Sequence, residues 1–248
     1  MRFNRSLSQS ISSFFLISCI SSWGVFEALP LSKSQKLLGP RVSLQSSWIG
    51  SKKTSKDLSI LLLAGHADSQ GIAGAGTAGQ AVDLYRALPM DENISDELFW
   101  NLLVCREVVN IGKEKGLNIS FYDPLIRNID NGNDPRTNWT VGSRHARKGG
   151  YVLEIHFDSY GEYGAGGGLI PPLFTTLNTV DENLARSFGR YPMLFRGGLG
   201  APRRGIRILE IGKLEGKLEE LLRSSSSQEK TISYIALLIV DAISDGLN

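Results

Sequence analysis

Two histidines in this chain follow apolar segments that have the character of buried strands. His66 comes after Ile60-Leu-Leu-Leu-Ala-Gly65, and His156 comes after Tyr151-Val-Leu-Glu-Ile155. The carboxyl ends of parallel strands meet at one edge of a sheet, where ligand sites collect. Neutral imidazole is a common zinc ligand, and three protein ligands with one open position are typical of a catalytic zinc site. The chain has three histidines in all, and the third, His145, lies among arginines as a solvated helix residue would. The pattern therefore favours a metal site built on His66 and His156.

A third metal ligand has to come from another side chain, and the residues alone leave two carboxylates open. Glu97 opens a predicted helix, so its side chain could point toward the same edge of the sheet. Asp68 lies two residues from His66 and is equally acidic. Either carboxylate also has a structural explanation, Glu97 as an acid in the first turn of a helix and Asp68 as a turn former.

A second glutamate, Glu210, lies inside the apolar segment Ile206-Arg-Ile-Leu-Glu-Ile211. A carboxylate buried in a strand is costly unless it has a partner. Ion pairing with the arginines nearby (Arg203, Arg204 and Arg207) is one explanation. A general base placed beside a metal site is the other.

A glycine-rich segment offers a competing interpretation, because Gly74-Ala-Gly-Thr-Ala-Gly79 spells the G-x-G-x-x-G of dinucleotide-binding proteins. In those proteins the first glycine follows the strand almost at once and the third opens a helix. Here Gly74 comes ten residues after Ala64. A nucleotide-dependent dehydrogenase is therefore disfavoured, and a glycine loop beside a site is favoured.

The elements that must position these residues alternate between strand and helix. Strand patterns cover 58–63, 118–122, 151–157 and 207–211, and helix patterns follow Ser95 and cover 139–148, 180–188 and 228–243. This alternation predicts a single α/β domain of three layers, with a mostly parallel, mixed sheet flanked by helices, phosphorylase/hydrolase-like in architecture.

Charge and composition divide the chain into a basic leader and a mildly acidic body. Residues 1–56 hold eight Lys or Arg and one acid, Glu27, while the remainder carries a net −5 (19 bases and 24 acids). Arg2 and Arg5, followed by an apolar stretch that ends near Cys19, are typical of an export signal or, less often, of a lipoprotein signal. We expect a signal at 1–28, a Ser/Lys-rich linker at 29–56 and a catalytic domain at 57–248. A cleaved leader would leave Cys105 as the one cysteine, which excludes an internal disulfide.

The order of these motifs resembles the zinc-dependent N-acetylmuramoyl-L-alanine amidases of type 3, which act on peptidoglycan. Leu63-Ala-Gly-His66 resembles the Gly-His motif that ends the family's first strand. Glu97-Leu-Phe-Trp-Asn-Leu102 resembles its zinc-binding Glu with Asn-Leu four residues on. Arg144 with Glu154-Ile-His156, and then Arg207-Ile-Leu-Glu-Ile-Gly212, resemble its last two motifs. The groove segments depart from the family pattern, as in Phe157-Asp-Ser-Tyr160, which is typical of a divergent branch.

The resemblance implies a zinc enzyme that hydrolyses the amide between N-acetylmuramic acid and L-alanine. By that resemblance His66, Glu97 and His156 bind Zn²⁺, and Glu210 is the catalytic carboxylate. Arg144, Arg207 and Asp158 are candidates for binding substrate. Peptidoglycan is the expected partner, in the periplasm or cell envelope. Nucleic acid is not expected, a membrane is expected only if Cys19 is lipidated, and the sequence does not identify a regulatory protein.

Two other functions remain open at the level of sequence. One is a different zinc amidohydrolase or carboxypeptidase on a related scaffold. The other is a cell-wall-binding protein that keeps the fold without catalysis.

Overall fold

A five-stranded sheet forms the centre of the described part of the molecule. The structure is a computed structural model, and it describes residues 37–42, 48–195 and 199–248. The strands are β1 (Ile60–Ala64), β2 (Ile119–Tyr122), β3 (Tyr151–Asp158), β4 (Gly168–Ile170) and β5 (Arg207–Lys213). Their order across the sheet is β2-β1-β3-β5-β4. All neighbouring pairs are parallel except β4 and β5, which run antiparallel.

Helices cover both faces of this sheet. They are α1 (Gly79–Asp83), α2 (Asp96–Glu114), α3 (Asn138–Arg147), α4 (Thr179–Phe188), α5 (Gly200–Arg203), α6 (Gly216–Arg223) and α7 (Gln228–Gly246), with a 3-10 turn at Gly161–Tyr163. Helices α2, α4 and α7 pack together over one face, whereas α3 and α5 lie on the other. The predicted three-layer α/β domain with a mostly parallel, mixed sheet is confirmed.

The central strands are apolar throughout because both of their faces are buried. In β1, Ile60 and Leu62 belong to the core beneath α2 and α7, whereas Leu61 and Leu63 belong to the core beneath α3. The same alternation in β3 directs Tyr151 and its odd-numbered neighbours toward α2, and it directs the even-numbered positions toward α3. Whether a residue has an odd or an even number within a strand therefore decides on which face of the sheet its side chain lies.

Helix α2 begins where the sequence predicts. The hydroxyl of Ser95 accepts a hydrogen bond from the backbone N–H of Leu98, which caps the helix, and Asp96 and Glu97 occupy the first turn. The chain leaves α2 through Gly116, whose φ is +78°. Cys105 is buried on this helix, as expected of a small apolar residue, and burial raises the pKa of its thiol well above the usual value.

Parts of the segment predicted as a linker pack against the domain. Leu38, Val42 and Trp48 are buried, and the Trp48 indole donates a hydrogen bond to the carbonyl of Tyr191. The predicted signal at 1–28, including Cys19, lies outside the described residues. Within the part of the chain that is described, no helix is both long and apolar enough to cross a membrane.

Candidate metal centre

The two strand-end histidines come together at the carboxyl edge of the sheet. His66 follows β1 after one residue, and His156 lies near the end of the neighbouring strand β3. Their rings meet edge to face, with centroids 4.8 Å apart. The backbone of His66 has a φ of +63°, a value that residues other than glycine adopt rarely and that is concentrated at functional sites. The edge predicted from the sequence is therefore the place where both imidazoles lie.

Glu97 reaches the same point from the first turn of α2. Its Oε1 lies 3.1 Å from Nδ1 of His156 and 3.5 Å from Nε2 of His66. Its second oxygen, Oε2, accepts a hydrogen bond of 2.8 Å from the backbone N–H of Thr77. The carboxylate is buried and held from both sides. Of the two acids that the sequence left open, Glu97 rather than Asp68 joins the histidines.

These three side chains can hold a metal ion. One ligand atom from each of His66, Glu97 and His156 can be chosen so that all of them lie within 4.8 Å of one another. Two imidazole nitrogens and one carboxylate oxygen form a donor set that occurs in catalytic zinc sites. The other ring nitrogen of His156, Nε2, is buried and has no hydrogen-bond partner. The donor set and its geometry fit a zinc ion.

The charges of the cluster are coupled. Burial lowers the pKa of His66, although the nearby Glu97 carboxylate opposes this effect. Burial also acts to lower the pKa of His156, but the neighbouring carboxylates of Glu154, Glu97 and Glu210 outweigh it and raise that pKa well above the usual value. The pKa of Glu97 is lowered, because the two imidazoles overcome the opposing effect of burial.

Glu210 lies beside this cluster on β5. It pairs with His156 in the parallel register of β3 and β5, so the two side chains stand next to each other on the same face of the sheet. Its negative charge contributes to the raised pKa of His156. Glu210 is 9 % exposed, which places a carboxylate at the border of the site.

Sequence reasoning missed Glu154, although it lies in the site. It precedes His156 by two residues, shares its face of β3 and is 3 % exposed. Asn138, at the start of α3, donates a hydrogen bond of 3.3 Å from Nδ2 to Oε1 of Glu154. The backbone N–H of Asn138 in turn donates to Asp68 at 2.6 Å. The strand period of two was the signal that could have identified Glu154 from His156.

A cavity of about 400 Å³ opens over the cluster. His66, His156 and Glu154 line it, together with two further acids, Asp68 and Asp130. Its other described walls are mainly apolar and small residues, including Trp139, Leu199, Ala201 and Ile208. None of the described residues that line the cavity is an arginine or a lysine. A bound molecule would meet apolar surface together with carboxylates, imidazoles and hydroxyl groups.

Arg207, predicted to bind substrate, is not among the described residues that line the cavity. Arg207 lies at the start of β5 on the opposite face from Glu210, because the two positions differ by an odd number along the strand. It is 4 % exposed and forms an ion pair with Asp181 through Nε at 2.8 Å, while its guanidinium carbon lies 4.3 Å from the centre of the Tyr151 ring. The residue stabilises the core beneath α4.

Asp158 and Arg144 also lie away from the cavity lining. The Asp158 carboxylate accepts hydrogen bonds from the backbone N–H groups of Ser159, Ala165 and Gly166. This buried carboxylate organises the loop after β3, and the substrate-binding role expected of it stays a prediction. Arg144 is exposed on α3 and donates to the carbonyl of Pro135 at 2.7 Å. Contact between Arg144 and a substrate that extends beyond the cavity stays a prediction.

The glycine-rich segment supports the cluster and does not resemble a nucleotide loop. Gly79 opens a helix of five residues, far along the chain from β1. Gly76 has a φ of +83°, and a Cβ there would lie 2.9 Å from the Ser95 hydroxyl and 3.5 Å from Glu97 Oε2. The backbone passes this close because the residue is glycine. A Cβ at Gly76 would also lie 3.5 Å from Cδ2 of His66, so the segment lies against both Glu97 and His66.

Comparison with known proteins shows the likeness at the level of fold. No family model matches this sequence, and neither does any curated protein. Among solved structures, Cwp6 from Clostridium difficile aligns with a TM-score of 0.51 and 12 % identity, over 77 % of this chain and 30 % of that one. The fold is similar to that of Cwp6.

Several other similar structures are N-acetylmuramoyl-L-alanine amidases. The catalytic domain of CwlV from Bacillus (Paenibacillus) polymyxa var. colistinus aligns at 18 % identity with a TM-score of 0.48, over 75 % of this chain and 96 % of that one. Apo Ami1 from Mycobacterium abscessus aligns at 15 % identity with a TM-score of 0.48, over 77 % of this chain and 99 % of that one.

Proposed function

We propose that this protein is a zinc-dependent hydrolase that cleaves the amide between N-acetylmuramic acid and L-alanine in peptidoglycan. The observation that carries the proposal is the convergence of His66, Glu97 and His156 beneath a cavity at the carboxyl edge of the sheet. The sequence motifs that resemble the type 3 amidases supply these same three residues and Glu210, in the same order.

In this proposal His66 and His156 donate ring nitrogens to zinc, and Glu97 donates Oε1. When bound, zinc supplies Lewis-acid polarisation of a carbonyl and acidifies a bound water. The chain fixes the donors beforehand, because Thr77 holds the second oxygen of Glu97 and Gly65 leaves room for the ring of His156. Such preorganisation lowers the cost of assembling the site.

Glu210 is the proposed general base and acid. It stands beside His156 on the same face of the sheet, with part of its surface open to solvent. In this role it accepts a proton from the attacking water and then delivers a proton to the leaving amine of L-alanine. The carboxylate must be ionised to accept the first proton, and the cation beside it would favour the ionised form.

The cavity suggests how the substrate is held. Trp139 and Ile208 offer apolar contact, while Asp68 and Asp130 can accept hydrogen bonds from amide or hydroxyl groups. In this proposal, carboxylates of the peptide stem bind at the rim of the cavity. Arg144 and Arg204 are candidates there, the latter with its guanidinium carbon 4.7 Å from the centre of the Trp139 ring.

We further propose that the protein acts in the cell envelope after export.

Product analysis tests the proposed reaction. Purified protein loaded with Zn²⁺ should release stem peptides with a free L-alanine amino terminus from peptidoglycan, and it should leave free peptides intact. Cleavage at the C-terminus of free peptides would instead identify a carboxypeptidase. Binding to peptidoglycan with no turnover would identify a wall-binding protein.

A further inference from the structure

Glu154 presents one oxygen to each of two different neighbours. Its Oε1 receives the amide of Asn138 at 3.3 Å. Its Oε2 lies 3.9 Å from Nε2 of His156. Asn138 also donates to the carbonyl of Ala64 at 2.7 Å and is fully buried, so the group that orients Glu154 is itself fixed between β1 and α3.

The two nitrogens of His156 have different environments. Nδ1 lies 3.1 Å from Glu97 Oε1, which is itself 3.5 Å from Nε2 of His66. Nε2 is a buried ring nitrogen without a hydrogen-bond partner, and it lies 3.9 Å from Oε2 of Glu154. A buried polar group left unpaired is costly, and Oε2 of Glu154 is about 1 Å farther from Nε2 than a usual hydrogen bond requires.

We propose that Glu154 is a positioning residue that accepts the Nε2–H of His156 when the metal site is filled. This hydrogen bond would hold the imidazole in the tautomer whose Nδ1 is free to bind the cation, and it would fix the plane of the ring. Histidine ligands of metals usually donate their second N–H to a carboxylate or carbonyl, and these partners strengthen metal binding. The inference rests on the proposed function only through the metal site.

The two glutamates on this face of the sheet, Glu154 and Glu210, differ in how they are held, and we assign them different roles. Glu210 stands across from His156 on β5, whereas Glu154 belongs to the same strand as His156 and is held by Asn138. Glu210 is the proposed proton carrier, and Glu154 acts through His156. Loss of Glu154 should therefore weaken zinc binding, whereas loss of Glu210 should leave zinc binding intact.

The test is a Zn²⁺ titration of the full chain against a chromophoric chelator, with Glu154→Leu, Glu154→Gln and, as a control, Asp130→Asn. We expect the Kd for Zn²⁺ to rise about 10- to 100-fold in Glu154→Leu. The rise should be smaller in Glu154→Gln, because its amide oxygen can still accept the Nε2–H. Asp130→Asn removes an exposed charge from the same cavity and should change the Kd by less than about twofold. Circular dichroism checks that each variant is folded.

A second readout reports the hydrogen bond itself. Proton–nitrogen correlation spectra of the zinc-loaded chain should show His156 with a slowly exchanging proton on Nε2, and Glu154→Leu should lose that slow exchange. Equal Zn²⁺ affinity in the wild type and both Glu154 variants overturns the inference alone. So does a proton on Nδ1 instead of Nε2, which remains decisive even if Glu154→Leu does not fold. Failure of the wild type to bind Zn²⁺ overturns the proposed function as well.

Discussion

Gly65 lies directly against the imidazole of His156. A Cβ at position 65 would lie 2.3 Å from Cε1 and 2.5 Å from Nδ1 of that ring, a separation that atoms do not adopt. We predict that Gly65→Ala displaces the ring and costs ~1–3 kcal/mol, as overpacking in a tight site does. The cost should appear as weaker Zn²⁺ binding and reduced hydrolysis, measured by chelator competition and by peptide release.

Gly74→Ala is the matched control for that variant. Gly74 lies in the glycine-rich segment with a φ of +79°, yet a Cβ there would meet no atom within 4 Å. We expect a loss of stability of ~1 kcal/mol from backbone strain, with Zn²⁺ affinity unchanged. Equal effects of the two substitutions on Zn²⁺ affinity would show that contact with His156 does not account for the role of Gly65.

Glu210→Gln should abolish hydrolysis while zinc stays bound. The change keeps the size of the side chain and removes its ability to accept a proton. General acid–base catalysis typically contributes about 10²- to 10⁴-fold, so peptide release should fall by at least 100-fold on this scale. Zinc content by elemental analysis should match that of the wild type. Full activity in the purified variant would refute the role assigned to Glu210.

Arg207 should affect stability and not substrate affinity. Arg207→Met leaves Asp181 buried without its cation, which typically costs ~3–5 kcal/mol. The free energy of unfolding should fall by that amount, whereas KM should stay unchanged at a temperature where the variant is folded. Arg186→Met is the control, because Arg186 pairs with Glu182 on the surface of α4 with its side chain 71 % exposed. Its loss should cost less than ~1 kcal/mol.

Glu219 should make the stability of the metal-free protein fall as the pH rises from about 4.5 to about 7. Burial raises the pKa of this carboxyl from 4.5 to about 7, although hydrogen bonds from the backbone N–H of Ala81 oppose the shift. In this range the unfolded chain loses its proton first, so the unfolded state binds fewer protons than the folded state and stability declines.

Glu219→Gln imitates the protonated form and should remove that decline. Denaturant unfolding in the presence of a chelator should show the variant more stable than the wild type by ~1–2 kcal/mol at pH 8 and nearly equal to it at pH 4.5. This figure is smaller than the full pKa shift implies, because water screens part of the interaction. The assignment would be contradicted if the wild type became more stable relative to Glu219→Gln as the pH rises.

The sequence carried enough information to predict the layers and the edge where the histidines meet. Continuous apolar segments such as 151–157 indicate strands buried on both faces, and helices between them require parallel pairing. Because β1 and β3 are neighbouring parallel strands, His66 and His156 at their carboxyl ends lie at the same edge of the sheet. Strand β4 was missed because its three residues are too short to show a period.

The alternation of side chains between the two faces of a strand explains which site residues the sequence reasoning missed. Arg207 and Glu210 lie close in sequence on opposite faces, whereas Glu154 and His156 share a face because they are two residues apart. The residues alone did not separate Glu97 from Asp68, and the family resemblance favoured Glu97. In the structure Glu97 lies beside both histidines, whereas Asp68 accepts a hydrogen bond from the backbone of Asn138. Apolar patterns locate strands reliably, but they do not reveal the partners of buried polar residues.

The most direct test of the proposed metal site is the zinc content of the purified chain beside that of His66→Ala and His156→Ala. The wild type should hold about one Zn²⁺ per chain, as a mononuclear catalytic site does. Each variant should hold almost none while keeping its circular dichroism spectrum. A wild type without zinc after incubation with the ion, or variants that retain as much as the wild type, would contradict the account.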